Sequence, residues 1–287
     1  KSFRFGDYDL VFSSSHSYIK NISKPKNVLH ICYIHTPMRY AWDLRGQYLQ
    51  DEPFYLRPFI GLFLLWLSYW DRKNTHYVDF FIANSKNVQQ RILKYYGRTS
   101  EVIYPFVDCK KYTLSDKKED FYLVVSRLID AKRIDLVIQT FASLNKRLIV
   151  IGTGREQKKL MKSATSNVTF LGYLPEEEVI YYYKHAKALI IPGIEDFGMT
   201  SIESQACGTP VIAFGKGCLL ESVIERKTGH FFYEQTSESL SHAIKEFEMM
   251  SFNPLLCRKN ALHFDKEVFK RKIKKFIIEK YRGFKHD

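Results

Sequence analysis

Two glutamates, Glu195 and Glu203, stand eight positions apart where a turn passes into a helical pattern. An apolar strand, predicted over residues 188–192, leads into the turn, which contains the pair Phe197-Gly198. A glycine-containing turn that opens a helix directs free backbone N–H groups and the positive helix end at an anion such as phosphate. Glu203 lies in the first turns of that helix, where its oxygens can accept both hydroxyls of a ribose. Since Glu195 can accept hydroxyls of a second sugar, the stretch predicts a nucleotide-sugar site.

Two cations, Arg127 and Lys132, follow another predicted strand at residues 122–126, with Arg133 next to them. The carboxyl ends of strands in open α/β sheets are where ligands bind. Two fixed cations at such an end can hold a diphosphate and neutralise the charge that develops as it leaves. Spacing alone leaves open the alternative that these residues are an exposed pair with no ligand.

The stretch from Glu195 to Glu203 resembles the E-x7-E donor motif of glycosyltransferase family 4. Members of this family have the GT-B fold of two facing Rossmann-like domains and retain the anomeric configuration of the donor sugar. Two glutamates at this spacing are common, but three further segments resemble the family in the right order, at residues 30–43, 81–85 and 126–133. The resemblance covers nearly the whole chain. It looks closest to the bacterial mannosyltransferases that build surface polysaccharides such as lipopolysaccharide.

The resemblance implies roles for individual residues. It makes Arg127 and Lys132 the diphosphate binders, and it raises His35, which ends a predicted strand, as an active-site histidine, although a lone histidine there is more often structural. We therefore expect the catalytic residues to be His35, Arg127, Lys132 and Glu195. We expect the donor-binding residues to be Arg127, Lys132, Gly154, Glu195, Phe197, Gly198, Met199 and Glu203.

Two weaker patterns point to other chemistry. The run Gly152-Thr-Gly154 resembles a dinucleotide fingerprint, but it lacks the third glycine and the acidic residue about 20 positions later, so a turn lining the donor site is favoured over NAD binding. The run Asp7-Tyr-Asp9 is a formal D-x-D, but it precedes a strand, where aspartate commonly serves in a turn. Because GT-B enzymes use protein cations and helix dipoles instead, we expect no metal site and no cofactor.

Composition limits the class of partner. The 287 residues carry a formal net charge of +13, which favours anionic partners such as nucleotide phosphates or a phospholipid surface. Nucleic acid is disfavoured because no RNA-binding aromatic motif or basic recognition helix is visible. The five cysteines form no C-x-x-C pair, which argues for a reducing compartment and against structural zinc.

Nine near-continuous apolar runs alternate with helical patterns, which predicts parallel sheets buried on both faces and a doubly wound α/β fold. The polar stretch 105–120 is the predicted linker between two domains, with a partial acceptor-side domain at residues 1–104 and a complete nucleotide-sugar-binding domain at residues 121–264. The first segment has too few strands for a full Rossmann-like domain, so we expect the chain to lack its N-terminus. Residues 265–287 predict a basic helix, and the resemblance to GT-B proteins implies that it crosses back to the first domain.

Two segments bear on membrane contact. The apolar run at residues 59–70 is too short to span a bilayer, and it predicts either a buried helix or an interfacial helix with Phe63, Trp66 and Trp70 at headgroup depth beside basic residues. The basic C-terminal helix has an apolar stripe, and its cations predict either a solvated face or contact with anionic lipid.

The patterns predict a nucleotide-sugar site, and the resemblance implies a retaining hexosyltransferase that moves mannose from GDP-mannose to a glycan or lipid-linked acceptor. A nucleotide-sugar-binding module without turnover, because the first domain is incomplete, is the alternative. No leader-like apolar segment opens the sequence, so we expect a cytoplasmic protein, peripheral on the inner face of the plasma membrane.

Overall fold

The computed structural model describes residues 5, 7–50, 52–115 and 117–286, and of residue 286 it describes only the backbone. Of the predicted segments, residues 1–4, 6 and 51 of the first domain, residue 116 of the linker and residue 287 of the last helix lie outside the described residues. Contacts divide the chain into two compact units. The first comprises Lys1–Tyr104 and Lys270–Asp287, and the second comprises Pro105–Phe269.

The first unit is built on a parallel four-stranded sheet whose strands follow chain order: β1 (Leu10–Ser15), β2 (Leu29–Ile34), β3 (Phe80–Ala83) and β4 (Ser100–Val102). All six residues of β2 are buried, as expected for a central strand covered on both faces. The helices of this unit are α1 (Arg45–Gln50), α2 (Arg57–Lys73) and α3 (Lys86–Tyr96).

The second unit is built on a parallel six-stranded sheet. Its strands are β5 (Tyr122–Val125), β6 (Leu148–Ile151), β7 (Val168–Gly172), β8 (Ala188–Ile191), β9 (Val211–Phe214) and β10 (Gly229–Phe232). Their spatial order is β10-β9-β8-β5-β6-β7, so the chain starts in the middle, builds one edge and then returns to build the other. The loops after β5 and β8 therefore flank the point where the direction of winding changes, which is where open α/β sheets bind ligands.

The helices between these strands are α4 (Ile134–Leu144), α5 (Gln157–Ser163), α6 (Glu176–His185), α7 (Met199–Ala206), α8 (Leu219–Ser222), α9 (Ser237–Glu248) and α10 (Pro254–Ala261). Leu136, Val137 and Phe141 of α4 are buried against the sheet, because the apolar positions of that helix recur on one face. A last helix, α11 (Lys266–His286), starts in the second unit and continues into the first.

The fold class is confirmed, because both units are α/β layers on parallel sheets. Two local predictions need correction. Strand β10 was missed, since it is short, opens with Gly229 and contains His230, and so carries too weak an apolar signal. Strand β4 ends at Val102, whereas the apolar run pointed to residues 102–104. None of the described helices combines the length and the apolarity needed to cross a bilayer.

Candidate donor-binding site

The loops after β5 and β8 touch through their backbones, and a glycine makes this possible. A Cβ atom placed on Gly193 would lie 2.9 Å from the carbonyl oxygen of Ala131 and 3.1 Å from Cα of Lys132. Real Cβ atoms do not come that close to a backbone oxygen, so a side chain at position 193 would push the two loops apart. The absent side chain therefore allows the segment that bears Lys132 to approach the segment that bears Glu195.

Lys132 and Glu195 form an ion pair at this contact. The Lys132 ammonium donates to both carboxylate oxygens of Glu195, at 2.5 Å to Oε1 and 2.6 Å to Oε2. The two side chains are 20% and 16% exposed, so the pair is partly shielded from water yet still reachable from the surface. A lysine ammonium has three N–H donors, and Glu195 takes two of them, which leaves the third for a ligand oxygen.

Glu195 is fixed from its other side by the turn after β9. Its carbonyl oxygen accepts a 3.4 Å hydrogen bond from the Cys218 N–H, and a Cβ atom on Gly217 would lie 2.8 Å from that oxygen. Gly217 has φ of +70°, a conformation that glycine adopts readily. Glu195 is thus held by the segments after β5 and β9, the two strands that flank β8, and this limits the directions in which its carboxylate can point.

Helix α7 starts immediately after Glu195 with its first turn uncapped. Its N-cap is Gly198 in the left-handed region (φ 78°, ψ 60°), no side chain accepts a hydrogen bond from its first N–H groups, and its first turn holds no acidic residue. A Cβ atom on Gly198 would lie 3.4 Å from Cβ of Glu195, so this start is directly beside the ion pair. The positive end of α7 and the Lys132 ammonium therefore lie beside each other, an arrangement that favours binding of an anion.

The neighbours of Gly198 differ in how far they can reach a ligand. Phe197 is 5% exposed, and its ring packs against Phe264 with centroids 5.7 Å apart. Its ring therefore belongs to the core, and any donor contact of Phe197 falls to its backbone. Met199 is half-buried at the first helical position. The assignment of both residues to donor binding stays a prediction.

Glu203, one turn into α7, is held by a tyrosine that the sequence reading missed. The Tyr183 hydroxyl donates to Oε2 of Glu203 at 2.8 Å, and the ring of Tyr183 is fully buried. Within the described residues Oε1 of Glu203 has no hydrogen-bond partner, so one oxygen is available to a ligand. Burial raises the pKa of the Glu203 carboxyl, while the hydrogen bond from Tyr183 lowers it in part. The run Tyr181-Tyr182-Tyr183 was the available signal, but spacing alone does not show which ring faces α7.

Arg127 lies at the end of β5 with its side chain exposed. No described residue forms a hydrogen bond or ion pair with its guanidinium, so it does not contact Lys132 or Glu195. Arg133 takes a left-handed conformation (φ 52°) and pairs with Asp135 at 3.3 Å. Of the three cations of this loop, Arg127 is therefore the one without a hydrogen-bond or ion-pair partner among the described residues.

Gly152 and Gly154 allow the loop after β6 to pack on the loop after β5. A Cβ atom would lie 1.9 Å from the Ser126 carbonyl oxygen at Gly152 and 2.2 Å from the Leu128 carbonyl oxygen at Gly154. Backbone packing therefore explains why both positions lack a side chain. Donor binding by Gly154 stays a prediction.

His35 lies in the first unit, at the end of β2. Its backbone N–H donates to the Ser15 carbonyl oxygen at 2.8 Å, and its Nε2 is 2.8 Å from the Ser14 hydroxyl. Partial burial, followed by the neighbouring His16, lowers the pKa of His35, which favours the neutral imidazole. A neutral ring whose orientation is set by Ser14 can donate or accept one further hydrogen bond.

Among the described residues, no group of three or more histidine, cysteine, aspartate or glutamate side chains could hold a metal ion. Asp9 of the D-x-D accepts at its carbonyl oxygen from the Leu29 N–H and lies 3.8 Å from Lys285. The D-x-D therefore forms the entry to β1, as a turn sequence does.

Comparison with known proteins places the chain in a family. The model of "Glycosyl transferases group 1" matches residues 108–263, more than half of the chain, and that of "Glycosyltransferase Family 4" matches residues 1–111. A D-inositol 3-phosphate glycosyltransferase of Thermobifida fusca is 27% identical over 185 residues, and the match covers 53% of this chain and 43% of that protein. The chain thus spans less than half the length of that relative.

Two solved structures share the fold at low sequence identity. Sucrose-phosphate synthase of Thermosynechococcus elongatus superposes with a TM-score of 0.74 at 19% identity, over 96% of this chain and 74% of that one. HepE of Anabaena, solved with UDP and glucose, superposes with a TM-score of 0.65 at 15% identity, over 94% of this chain and 99% of that one. The chain therefore belongs to the group 1 glycosyl transferases and is a GT-B glycosyltransferase of the family 4 type.

Proposed function

We propose that the protein transfers a hexose from a nucleoside-diphosphate sugar to a hydroxyl of an acceptor, with retention at the anomeric carbon. The observation that carries this proposal is the ion pair of Lys132 and Glu195 beside the uncapped start of α7. An anion bound there meets the positive helix end and the free N–H of Lys132. Glu195, next to it, offers acceptors for sugar hydroxyls, and Glu203 offers one for the ribose.

The residues of the second unit have separate tasks in this proposal. The diphosphate lies at the start of α7, where Lys132 and Arg127 balance its charge. As the acceptor hydroxyl attacks the anomeric carbon from the face of the leaving group, the bond to the diphosphate oxygen breaks, and that oxygen takes the hydroxyl proton. No carboxylate acts as a nucleophile, and Glu195, held by Lys132, orients the sugar. Charge placed in advance at the leaving group is often the largest contribution to catalysis.

The donor that we propose is GDP-mannose, and the acceptor is a glycan or a lipid-linked glycan. These choices are supported by the resemblance of nearly the whole chain to bacterial mannosyltransferases of surface-polysaccharide assembly. The main alternative donor nucleotide is UDP, with which the structure of HepE was solved. We further propose that the reaction needs no metal and that the protein works in the cytoplasm at the inner face of the plasma membrane.

A panel of GDP, UDP, ADP and their sugars, added one by one in a thermal-shift assay, tests the donor. A ligand at a hundred times its Kd stabilises the folded state by about 2.7 kcal/mol. We expect GDP and GDP-mannose to give the largest shifts. A larger shift with UDP would identify a UDP sugar as the donor in place of GDP-mannose. No shift with any nucleotide would contradict the assignment of a nucleotide-binding site.

Release of nucleoside diphosphate from the preferred donor separates an enzyme from a binding module. Turnover with a mannose-accepting glycan, unchanged by EDTA, is the expected result. Donor binding without either transfer or hydrolysis would favour the module. Strict dependence on a metal ion would contradict the charge-balancing role of Arg127 and Lys132.

A further inference from the structure

Helix α2 of the first unit exposes a row of large apolar side chains to solvent. The exposed fraction is 73% for Phe59 and 49% for Leu65, and it lies between these values for Leu62, Phe63, Trp66 and Tyr69. The opposite side of the helix is packed, since Leu64 and Leu67 are 6% and 4% exposed within a cluster that also contains Met38 and Ala41. The helix is thus apolar on both sides, although only one side meets the core.

The row continues beyond the helix and is partly ordered by its own ring contacts. Phe54, Tyr55 and Leu56, just before α2, are 79%, 61% and 40% exposed. The rings of Phe63 and Trp66 stack with centroids 5.8 Å apart, and those of Trp66 and Trp70 with centroids 6.5 Å apart. Contiguous apolar patches of this kind on a soluble domain usually mark a contact with another protein or with a membrane.

The charges of α2 distinguish between these two partners. Its one acidic residue, Asp71, is 0% exposed and forms a buried ion pair with Lys20, so it contributes no charge to the outward face. The exposed charges at the two ends of the helix are all cationic: Arg57, Arg72 and Lys73. The Lys73 ammonium also lies 6.0 Å from the centre of the Tyr69 ring. An apolar row with cations at both ends matches the acyl chains and anionic headgroups of a bilayer.

We infer that the outward face of α2 (Phe59, Leu62, Phe63, Leu65, Trp66 and Tyr69) docks on an anionic phospholipid bilayer, with the helix axis parallel to the membrane. The helix does not span, because its other side is packed into the first unit. Trp66 and Tyr69 lie at headgroup depth, and the terminal cations contact lipid phosphates. The inference rests on the proposed function only for its biological role, because a lipid-linked acceptor would lie at such a membrane surface.

The basic helix α11 has a different relation to a membrane. Phe276 is 8% exposed, its ring lies 6.5 Å from that of Phe80, and the Lys280 ammonium lies 4.8 Å from the centre of the Phe80 ring. The apolar stripe of α11 is thus used for packing on the first unit. This helix can add electrostatic attraction to a bilayer, whereas insertion falls to α2.

Co-sedimentation of the full chain with vesicles of phosphatidylcholine and increasing phosphatidylglycerol tests the inference. We expect binding to increase with phosphatidylglycerol and to retain a salt-resistant fraction, because insertion of apolar side chains is not screened. The variant Phe63→Ser with Trp66→Ser should lose that fraction, with binding weaker by about tenfold or more. Lys73→Gln should weaken binding only to vesicles that contain phosphatidylglycerol.

The matched control is Met249→Ser with Leu255→Ser, which removes two side chains that are 81% and 64% exposed in the second unit. This control should bind vesicles like the parent. Nucleotide-induced thermal shifts, measured on every variant, show that the donor site is folded and keep a failure of the membrane inference separate from a failure of the donor site.

Three outcomes would overturn the inference. One is parental vesicle binding by the Phe63 and Trp66 variant, and another is no vesicle binding by the parent at any lipid composition. The third is a concentration-dependent dimer of the parent that the same variant abolishes, because the face would then be an interface between copies of this chain.

Discussion

The Nζ atom of Lys132 lies 2.5 and 2.6 Å from the two carboxylate oxygens of Glu195, although 63 positions separate the residues. The contact forms because β5 and β8 are neighbours in the sheet, although α4, β6, α5, β7 and α6 lie between them along the chain. A nucleotide sugar that binds here meets a lysine whose position is already set by the glutamate. The Lys132 ammonium and the Glu195 carboxylate therefore orient each other before any ligand arrives.

Lys132→Ala should lower turnover by about 10²- to 10³-fold, because it removes a charge placed in advance at the leaving diphosphate. It should also lower the free energy of unfolding by about 1–3 kcal/mol, since a partly shielded carboxylate loses its partner. Steady-state kinetics and urea unfolding measure the two effects. The control is Lys159→Ala, at a side chain that is 77% exposed on α5, which should change neither. Parental turnover in Lys132→Ala would place the diphosphate elsewhere.

Arg127→Ala should lower turnover to a similar extent but leave the stability unchanged, because its guanidinium has no partner among the described residues. Binding of the nucleoside without phosphates should be nearly intact. Comparing calorimetric titrations of nucleoside and nucleoside diphosphate measures the difference. Equal losses of affinity for both ligands would show that Arg127 does not act on the diphosphate.

Glu203→Gln should weaken nucleotide binding without lowering the stability at neutral pH. Burial raises the pKa of Glu203, so its charged form is disfavoured by folding, and a neutral amide removes that cost. For the same reason the parent should lose nucleotide affinity on acidification at a higher pH than an ordinary glutamate would predict. Calorimetry across a pH series measures this. Unchanged affinity in Glu203→Gln would exclude Glu203 from the ribose.

The sign for folding stability is opposite to that for binding. A carboxyl whose pKa is raised on folding binds its proton more tightly in the folded state, so its charged form opposes folding as pH rises through that raised pKa. Acidification through the same range should therefore make the parent more stable relative to Glu203→Gln. Urea unfolding of both proteins at several pH values gives the difference.

Tyr183→Phe should move the pH at which nucleotide affinity is lost to a higher value, because the hydroxyl that lowers the pKa of Glu203 is removed. At neutral pH we expect a loss of affinity of a few-fold for ribonucleotides and a smaller one for 2′,3′-dideoxynucleotides. Tyr181→Phe on the same helix is the matched control, since its hydroxyl bonds Glu119 instead. A uniform loss for both ligand types, with no change in the pH profile, would mean that Tyr183 is only a packing residue.

Gly193→Ala should separate the loops after β5 and β8, because its Cβ would lie 2.9 Å from the Ala131 carbonyl oxygen. We expect a destabilisation of about 1–3 kcal/mol and loss of most turnover. The control is Gly46→Ala in α1, whose added Cβ atom would have no neighbour within 4 Å. It should stabilise the protein by about 0.5–1 kcal/mol and leave full activity. Parental activity in Gly193→Ala would mean that the loop contact is not needed.

The sequence was sufficient to predict the parallel α/β architecture, because buried parallel strands such as β6 and β8 are continuous apolar runs. It also placed Lys132 and Glu195 at strand ends. It did not predict their contact, which depends on the spatial order of strands and on the missing side chain of Gly193. Tyr183 escaped notice for a similar reason, since its role depends on how α6 faces α7.

The apolar run at residues 59–70 shows a further limit of sequence reading. Its residues are apolar all round, so periodicity cannot show which side meets the core. The structure buries Leu64 and Leu67 and leaves Phe63 and Trp66 exposed, so one side of α2 is buried as the first alternative expects, while membrane contact of the other side stays a prediction.

The most direct test of the donor site is a calorimetric titration of the parent, Lys132→Ala and Glu203→Gln with the nucleoside diphosphate that stabilises the parent most. We expect one nucleotide-binding site per chain in the parent and a Kd raised by about tenfold or more in each variant. The loss of affinity in Lys132→Ala should vanish when the nucleoside replaces the nucleoside diphosphate, whereas the loss of affinity in Glu203→Gln should persist. Equal Kd values for the diphosphate in all three proteins would contradict the assignment of this site.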